Sequence, residues 1–467
     1  MNDPSLLWAP RAWISGDWQD AVVLRADGSG HWAEISPGIG TPPRDSVVLP
    51  GPVLPGLVDA HSHAFQRAFA GLAERRDADS DDFWSWRDRM YGVALRITPE
   101  QLRAVAAQLY VELLCGGYTQ VCEFHYLHHA EDGRAYDDPA TLGWALADAA
   151  VDAGIGLTLL PVLYERAGFT QPMLRDDQRR FKSTPALVHA LYRSFGSARR
   201  PLVNAGVAIH SLRAASATAI ADLMRRVGDD EVPVHVHVAE QTREVDDCLA
   251  ATGARPIALL CRELNPDSRW QLVHATHATP AEIEAVAATG AGIVICPSTE
   301  ANLGDGLPDL PRWLAAGVPI TLGSDSQVSR SWVEELRWLE YGQRLARRER
   351  NVGAAPSKGQ SATAARLFDA VLANCGRSAG HMSWGLVAGA RADALVLDAS
   401  APGLLGVPPS HVLDALVFAT DAPAFAEVYV AGRRVVANGR HMAAAHVARR
   451  FAEVMGALWG GTDAGRH

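Results

Sequence analysis

Four short apolar runs in this chain end in side chains that bind divalent metals. The first, Pro55-Gly-Leu-Val-Asp-Ala-His61-Ser-His63, closes on two histidines separated by one residue. On a strand, that spacing aims both imidazoles at one face. A second run ends His235-Val-His237-Val-Ala-Glu240, a third Leu272-Val-His274, and a last one Leu322-Gly-Ser-Asp325. A lone His-x-His is as readily a pair of satisfied polar residues at a loop edge, but four such endings in order make a ligand set. Three histidines and one carboxylate form a closed nitrogen and oxygen shell suited to Zn²⁺, and less specifically to Fe²⁺ or Mn²⁺. An ion so held lowers the pKa of a coordinated water to about 7, which is the chemistry of hydrolysis in neutral solution.

Such groups converge only if the strands that carry them lie side by side with their ends at one rim. From Pro52 onward, short apolar runs alternate with longer amphipathic stretches, the pattern of repeated βα units and a parallel sheet. Eight runs read as strands: 56–63, 119–125, 156–163, 204–210, 234–238, 270–274, 292–296 and 319–325. Helical stretches fit between and after them at 98–115, with Thr98 placed as N-cap, and at 216–227, 280–288, 333–347 and 362–372. The prediction is an α/β protein built on a (β/α)₈ TIM barrel spanning 53–384, whose C-terminal mouth gathers every group named above. Segment 74–88, rich in charge and tryptophan, is a long excursion of the kind that covers such a mouth.

Residues 1–52 hold short strand-like runs, such as 20–24, broken by Gly, Pro and Asp and without helical period. Stretches 386–397 and 427–436 look β-like again, and the Ala-rich 443–448 fits a helix. The two ends, 1–52 and 385–467, are expected to join in one small β-sandwich, the latter adding a terminal helix. A net charge of -10 over 467 residues argues against nucleic acid or an anionic membrane as the main partner, so an anionic substrate would need local arginines. The six cysteines (Cys115, Cys122, Cys248, Cys261, Cys296, Cys375) form no C-x-x-C pair, as expected of reduced thiols in a cytoplasmic protein. Met1 to Trp18 lacks the basic start and apolar core of a signal peptide, and no segment supplies the ~20 apolar residues of a membrane span.

The ordered strand endings resemble those of the amidohydrolase superfamily over nearly the whole chain. The resemblance implies that His61, His63 and a fifth-strand histidine hold the metal with Asp325, while His274 contacts the hydrolytic water or the substrate. The fifth strand offers His235 and His237, which point the same way one layer apart. Mononuclear deaminases of the superfamily carry His-x-x-Glu here, which matches His237 and Glu240 and leaves His235 deeper as a hydrogen-bonded core histidine. Members with two metals usually bridge them by a carboxylated lysine at the end of strand four, whereas the only lysines here, Lys182 and Lys358, lie off that strand. One divalent ion per chain is therefore expected, Zn²⁺ first. By the same resemblance Asp325 accepts the water's proton, Glu240 protonates the departing nitrogen, and His274 orients the nucleophile and stabilises the tetrahedral intermediate.

Within the superfamily the sequence resembles the N-formimidoyl-L-glutamate deiminases of bacterial histidine degradation. The similarity rests on His61-Ser-His-Ala-Phe-Gln66-Arg-Ala-Phe-Ala-Gly71, Phe83-Trp-Ser-Trp-Arg87, Glu123-Phe-His-Tyr126-Leu-His-His129, Ala208-Ile-His210-Ser-Leu-Arg213-Ala214 and Val236-His-Val-Ala-Glu-Gln241. The implied substrate, a small dicarboxylate with a formimidoyl group, needs cationic and hydrogen-bonding partners facing the metal. Gln66, Tyr126, His210 and Arg213 stand at or just beyond the ends of strands one, two and four and meet that need. Arg87 is a further candidate, with packing or a subunit contact as its other reading. A homodimer is expected. One departure stands out: Gln327 occupies a position where relatives carry histidine, which alters a hydrogen bond behind the metal shell without removing a ligand. A deaminase of purines or nucleosides would share the metal set and present fewer cations. A cytidine-type deaminase would need Pro-Cys-x-x-Cys, which is absent, and an inert scaffold would have lost ligands, none of which is missing.

Overall fold

Runs of Val, Ile, Leu and Ala without interspersed charge can be strands only where both faces are covered, and the structure covers them. It is a computed structural model that describes residues 6–76, 83–422 and 424–460. The strands are Leu57–Ser62, Tyr118–His125, Gly156–Leu163, a divided fourth (Val203–Ala205 and Val207–Ser211), Val234–Val238, Trp270–His274, Gly292–Ile295 and Ile320–Leu322. Each pairs in parallel with its neighbour, and Leu322 of the last registers with Asp59 of the first, so the sheet closes into a barrel.

The fourth strand breaks at Gly206. Val203–Ala205 pairs with strand three, whereas Val207–Ser211 pairs with strands three and five. A Cβ at Gly206 would sit 2.4 Å from the Pro233 carbonyl oxygen, so the close approach of strand five requires glycine there.

Helices cover the barrel. Thr98 caps Pro99–Cys115 in a full capping box with Gln101, and Ser216 caps Ala217–Val227 through the Ala219 amide. The helix expected at 362–372 runs on as Thr363–Ser378. Its last turn carries buried Asn374, Cys375 and Ser378, and the Asn374 amide donates to Gln271 at 3.0 Å, so packing against the barrel floor extends it. Of the excursion 74–88, residues 77–82 lie outside the described residues, and Phe83–Ala94 is a helix.

Both chain ends contribute to a separate mixed sheet of nine strands. Leu6–Ile14, Asp17–Ala26, Trp32–Ser36, Val47–Val48 and Val53–Leu54 meet Ala394–Leu397, Phe425–Val430, Arg433–Ala437 and Arg440–His441. Only the end of stretch 386–397 is strand, because Gly389, at φ 83°, turns the chain before it. Leu24, Trp32, Val53, Ala392 and Tyr429 form the core of this unit. The terminal helix, Ala444–Trp459, returns to pack on Pro99–Cys115.

Candidate active site

Strands one, five, six and eight end at the same rim, and the chain turns sharply there after strands five, six and eight. Ala239, His274, Ala275 and Asp325 all take left-handed φ values between 48° and 69°, a conformation that costs on the order of 1–3 kcal/mol for a residue with a side chain. These turns aim the side chains into the mouth instead of along the sheet. Gly323 permits the closest approach: a Cβ there would lie 2.7 Å from His61 Cβ and 3.0 Å from Cys296 Sγ. Strand eight can thus bring Asp325 beside strand one, where the Asp325 amide donates to the His61 carbonyl at 2.9 Å.

The structure brings His61, His63, His237 and Asp325 together around one point. Asp325 Oδ1 lies 3.5 Å from His61 Nε2 and 3.4 Å from His63 Nε2, and the Nε2 atoms of His61 and His237 are 2.9 Å apart. The far side of two rings is already engaged: His63 Nδ1 faces the Phe124 carbonyl at 3.1 Å and His237 Nδ1 the His210 carbonyl at 2.8 Å. A backbone carbonyl only accepts, so both rings carry their proton on Nδ1 and turn an Nε2 lone pair inward. A buried cluster of inward lone pairs and one carboxylate fits a divalent cation. His235 lies a layer deeper, with Nε2 donating to the Ser378 carbonyl at 2.8 Å.

Burial lowers the basicity of His61 and of His237, and of His63 to about 3, so these rings are neutral and available as ligands. Burial opposes ionisation of Asp325, but its hydrogen bond to His61 and the neighbouring imidazoles prevail and hold the carboxyl well below the usual range. Glu240 lies across the same space. Burial pushes its carboxyl up to about 7, the range that suits a proton carrier in neutral solution. His274 connects the two carboxylates, its Nε2 3.7 Å from Glu240 Oε1 and 3.8 Å from Asp325 Oδ2. Burial pushes this ring down, yet Glu240, a hydrogen bond to Glu300 and Asp325 outweigh burial and bring it up to about 10.

Beside this centre lies a pocket lined by Gln66, Arg87, Tyr126, His210 and Arg213, all five of the expected substrate-binding residues. Gln66 Nε2 donates to the Tyr126 hydroxyl at 3.2 Å, and the Tyr126 ring packs edge-on against His63. Arg87 arrives from the helix Phe83–Ala94, which places part of the excursion over the mouth. Tyr91, Tyr164 and Glu244 also line the pocket and were not anticipated from the sequence. Tyr164 directly follows strand three, so the rule that sites sit beyond barrel strands could have found it. Glu244 accepts the amides of Ala239 and Glu240 and so fixes the loop that carries Glu240.

Gln327 does more than fill a space. Its amide donates to Ser62 Oγ at 3.0 Å and to the Asp325 carbonyl at 2.8 Å, and it accepts from Ser324 Oγ. It therefore ties strand one to the Asp325 turn. A larger cleft opens at the opposite end of the barrel, lined by residues such as Trp13, Pro233, Arg269, Asp369 and Trp384. None of the converging histidines lines it, whereas His63, His237 and His274 line the smaller pocket.

The sequence profile of the amidohydrolase family matches residues 53–435. A formimidoylglutamate deiminase from Pseudomonas aeruginosa is 46% identical over 459 residues, covering 97% of this chain and 99% of its own. A 5-methylthioadenosine/S-adenosylhomocysteine deaminase from Natronomonas pharaonis is 28% identical over 77% of this chain and 75% of its own. Among solved structures, an amidohydrolase from Brucella melitensis superposes with a TM-score of 0.91 at 39% identity, covering 97% of this chain and 99% of its own.

Proposed function

This chain belongs to the amidohydrolase family, and we propose that it hydrolyses N-formimidoyl-L-glutamate to N-formyl-L-glutamate and ammonia, as a step of histidine degradation. The observation that carries this reading is the pairing of buried histidines and Asp325, grouped closely enough to hold a metal ion, with a pocket that presents Arg87 and Arg213 beside them. Guanidinium groups match carboxylates in geometry and charge, and the substrate has two.

His61, His63, His237 and Asp325 would hold the ion, and three nitrogens with one oxygen suit Zn²⁺. When bound, such an ion supplies a water of pKa about 7 and polarises the carbon under attack. Asp325 takes the proton from the attacking water as the new C–O bond forms at the formimidoyl carbon. Glu240 delivers a proton to the nitrogen that leaves as ammonia, and His274, through Nε2, orients the attacking oxygen and stabilises the tetrahedral intermediate. Gln66, Tyr126, His210 and the arginines orient the two carboxylates, which fixes the reacting carbon over the metal site. A cytoplasmic location accords with six free cysteines, no described helix is long and apolar enough to cross a membrane, and a homodimer completes this reading.

The test is ammonia release from N-formimidoyl-glutamate, N-formimidoyl-aspartate, guanine and adenosine under one set of conditions. The glutamate derivative should be turned over fastest. Faster release from guanine or adenosine would transfer the assignment to deamination of a purine or nucleoside, the class to which the substrates named for the 28% identical relative belong.

A further inference from the structure

Glu300 stands in the loop after strand seven, on the helix Pro297–Leu303, and takes no part in the chemistry described so far. It is 2% exposed. One oxygen, Oε1, accepts the Cys296 amide at 3.0 Å and faces His274 Nδ1 at 3.4 Å. The backbone on either side is anchored as well: the Glu300 amide donates to the Cys296 carbonyl and the Glu300 carbonyl accepts the Asp305 amide, both at 2.9 Å. The carboxylate therefore cannot drift, and it sits behind the one histidine of the centre whose Nδ1 faces a side chain.

We propose that Glu300 is the positioning residue of His274: by accepting the Nδ1 proton it fixes the ring's rotation and tautomer, so that Nε2 points at the space between Glu240 and Asp325. With Nδ1 held in this way the ring keeps one orientation, in which Nε2 faces the oxygen that attacks the formimidoyl carbon. No other described group holds Nδ1 by hydrogen bond. His63 and His237 use neutral backbone carbonyls for the same purpose, as suits rings that only need an inward lone pair. His274 is distinguished by a charged partner. This inference rests on the role assigned to His274 in the proposed reaction.

The experiment compares Glu300→Ala and Glu300→Gln with the parent enzyme, all loaded with zinc. A glutamine Oε1 can accept both the Cys296 amide and His274 Nδ1–H, so it keeps the orientation and loses the charge. Glu300→Ala should lower kcat ~10–100-fold, the range for outer partners of a metal centre, with KM nearly unchanged and one ion per chain retained. Glu300→Gln should recover part of that loss. A crystal structure of zinc-loaded, substrate-free Glu300→Ala should show the His274 ring rotated away from Glu240. Parent-like kcat in Glu300→Ala, a loss confined to KM, or an unmoved ring would each overturn the proposal. The ring position is read without substrate, so it decides the matter even if the parent enzyme proves inactive toward N-formimidoyl-glutamate, which is a failure of the proposed function alone.

Discussion

His61 and His237 lie 176 residues apart in sequence and turn their Nε2 atoms to within 2.9 Å of each other. His237 has committed its Nδ1–H to the His210 carbonyl, and burial keeps both rings neutral. Two such nitrogens and the Asp325 carboxylate are brought together at the expense of hydration, which a cation between them offsets.

Chelation should therefore both abolish activity and destabilise the fold. An ion held at 100 times its dissociation constant stabilises the native state by about 2.7 kcal/mol. Melting with and without a chelator, followed by zinc titration, should show that stability return at about one ion per chain. A stoichiometry of two, with a bridged pair in a crystal structure, would overturn the mononuclear reading.

Glu240→Gln separates proton transfer from metal binding. Glu240 is not within the ligand cluster, and its loop is fixed by Glu244, so the amide variant should fold and keep its ion. It cannot carry a proton, so kcat should fall by ~10²–10⁴. Loss of metal, or most of the activity retained, would mean that the side chain has another role.

Histidines buried as neutral donors make the fold sensitive to acid. His128 and His235 are each pushed down to about 4 by burial, and each donates Nε2–H to a backbone carbonyl, Val162 and Ser378 respectively. Their folded pKa lies below the unfolded value of 6.5, so between 6.5 and 4 the unfolded chain binds more protons and folding weakens as pH falls. Above 6.5 their contribution is complete. Each costs about 1.4 kcal/mol per pH unit inside that window. His235→Gln, which can still donate to Ser378, should show a shallower fall in urea midpoint from pH 6.5 to 4.5 than the parent. An unchanged slope would mean that His235 does not titrate on unfolding.

What was legible in the sequence follows from what is local. Strand ends are, since apolar runs and polar endings adjoin in the chain: each of the eight expected strands appears, with 156–163, 234–238 and 270–274 matching at both ends. Gly206 was not read as a break, because its need is set by the carbonyl of Pro233, the residue that leads into strand five. Gln327 was recognised as unusual but its partners, Ser62 and Ser324, become evident only when strand eight meets strand one. Glu300 was overlooked for a similar reason, since nothing in Pro297-Ser-Thr-Glu300 betrays that a carboxylate will stand behind a histidine 26 residues earlier.

Arg213 gives the sharpest test of substrate class. It follows strand four, lines the pocket with His210 and lies close enough to Glu240 and Glu244 to favour their ionised forms. A guanidinium so placed can take a substrate carboxylate through two parallel hydrogen bonds, which lysine cannot imitate in geometry. The contact lies away from the reacting carbon, so its loss should raise KM first and lower kcat only as far as the carboxylate also aligns the formimidoyl group. Arg213→Ala should cost ~2–5 kcal/mol in kcat/KM, as deleting one member of a buried charge pair does. With a substrate analogue lacking that carboxylate, the same substitution should cost far less, and the two enzymes against two substrates form a cycle whose non-additivity measures the contact. Additive losses would mean that Arg213 never touches the substrate. The dicarboxylate assignment would then lose its main physical support, and Arg87 would be the next guanidinium to put through the same cycle.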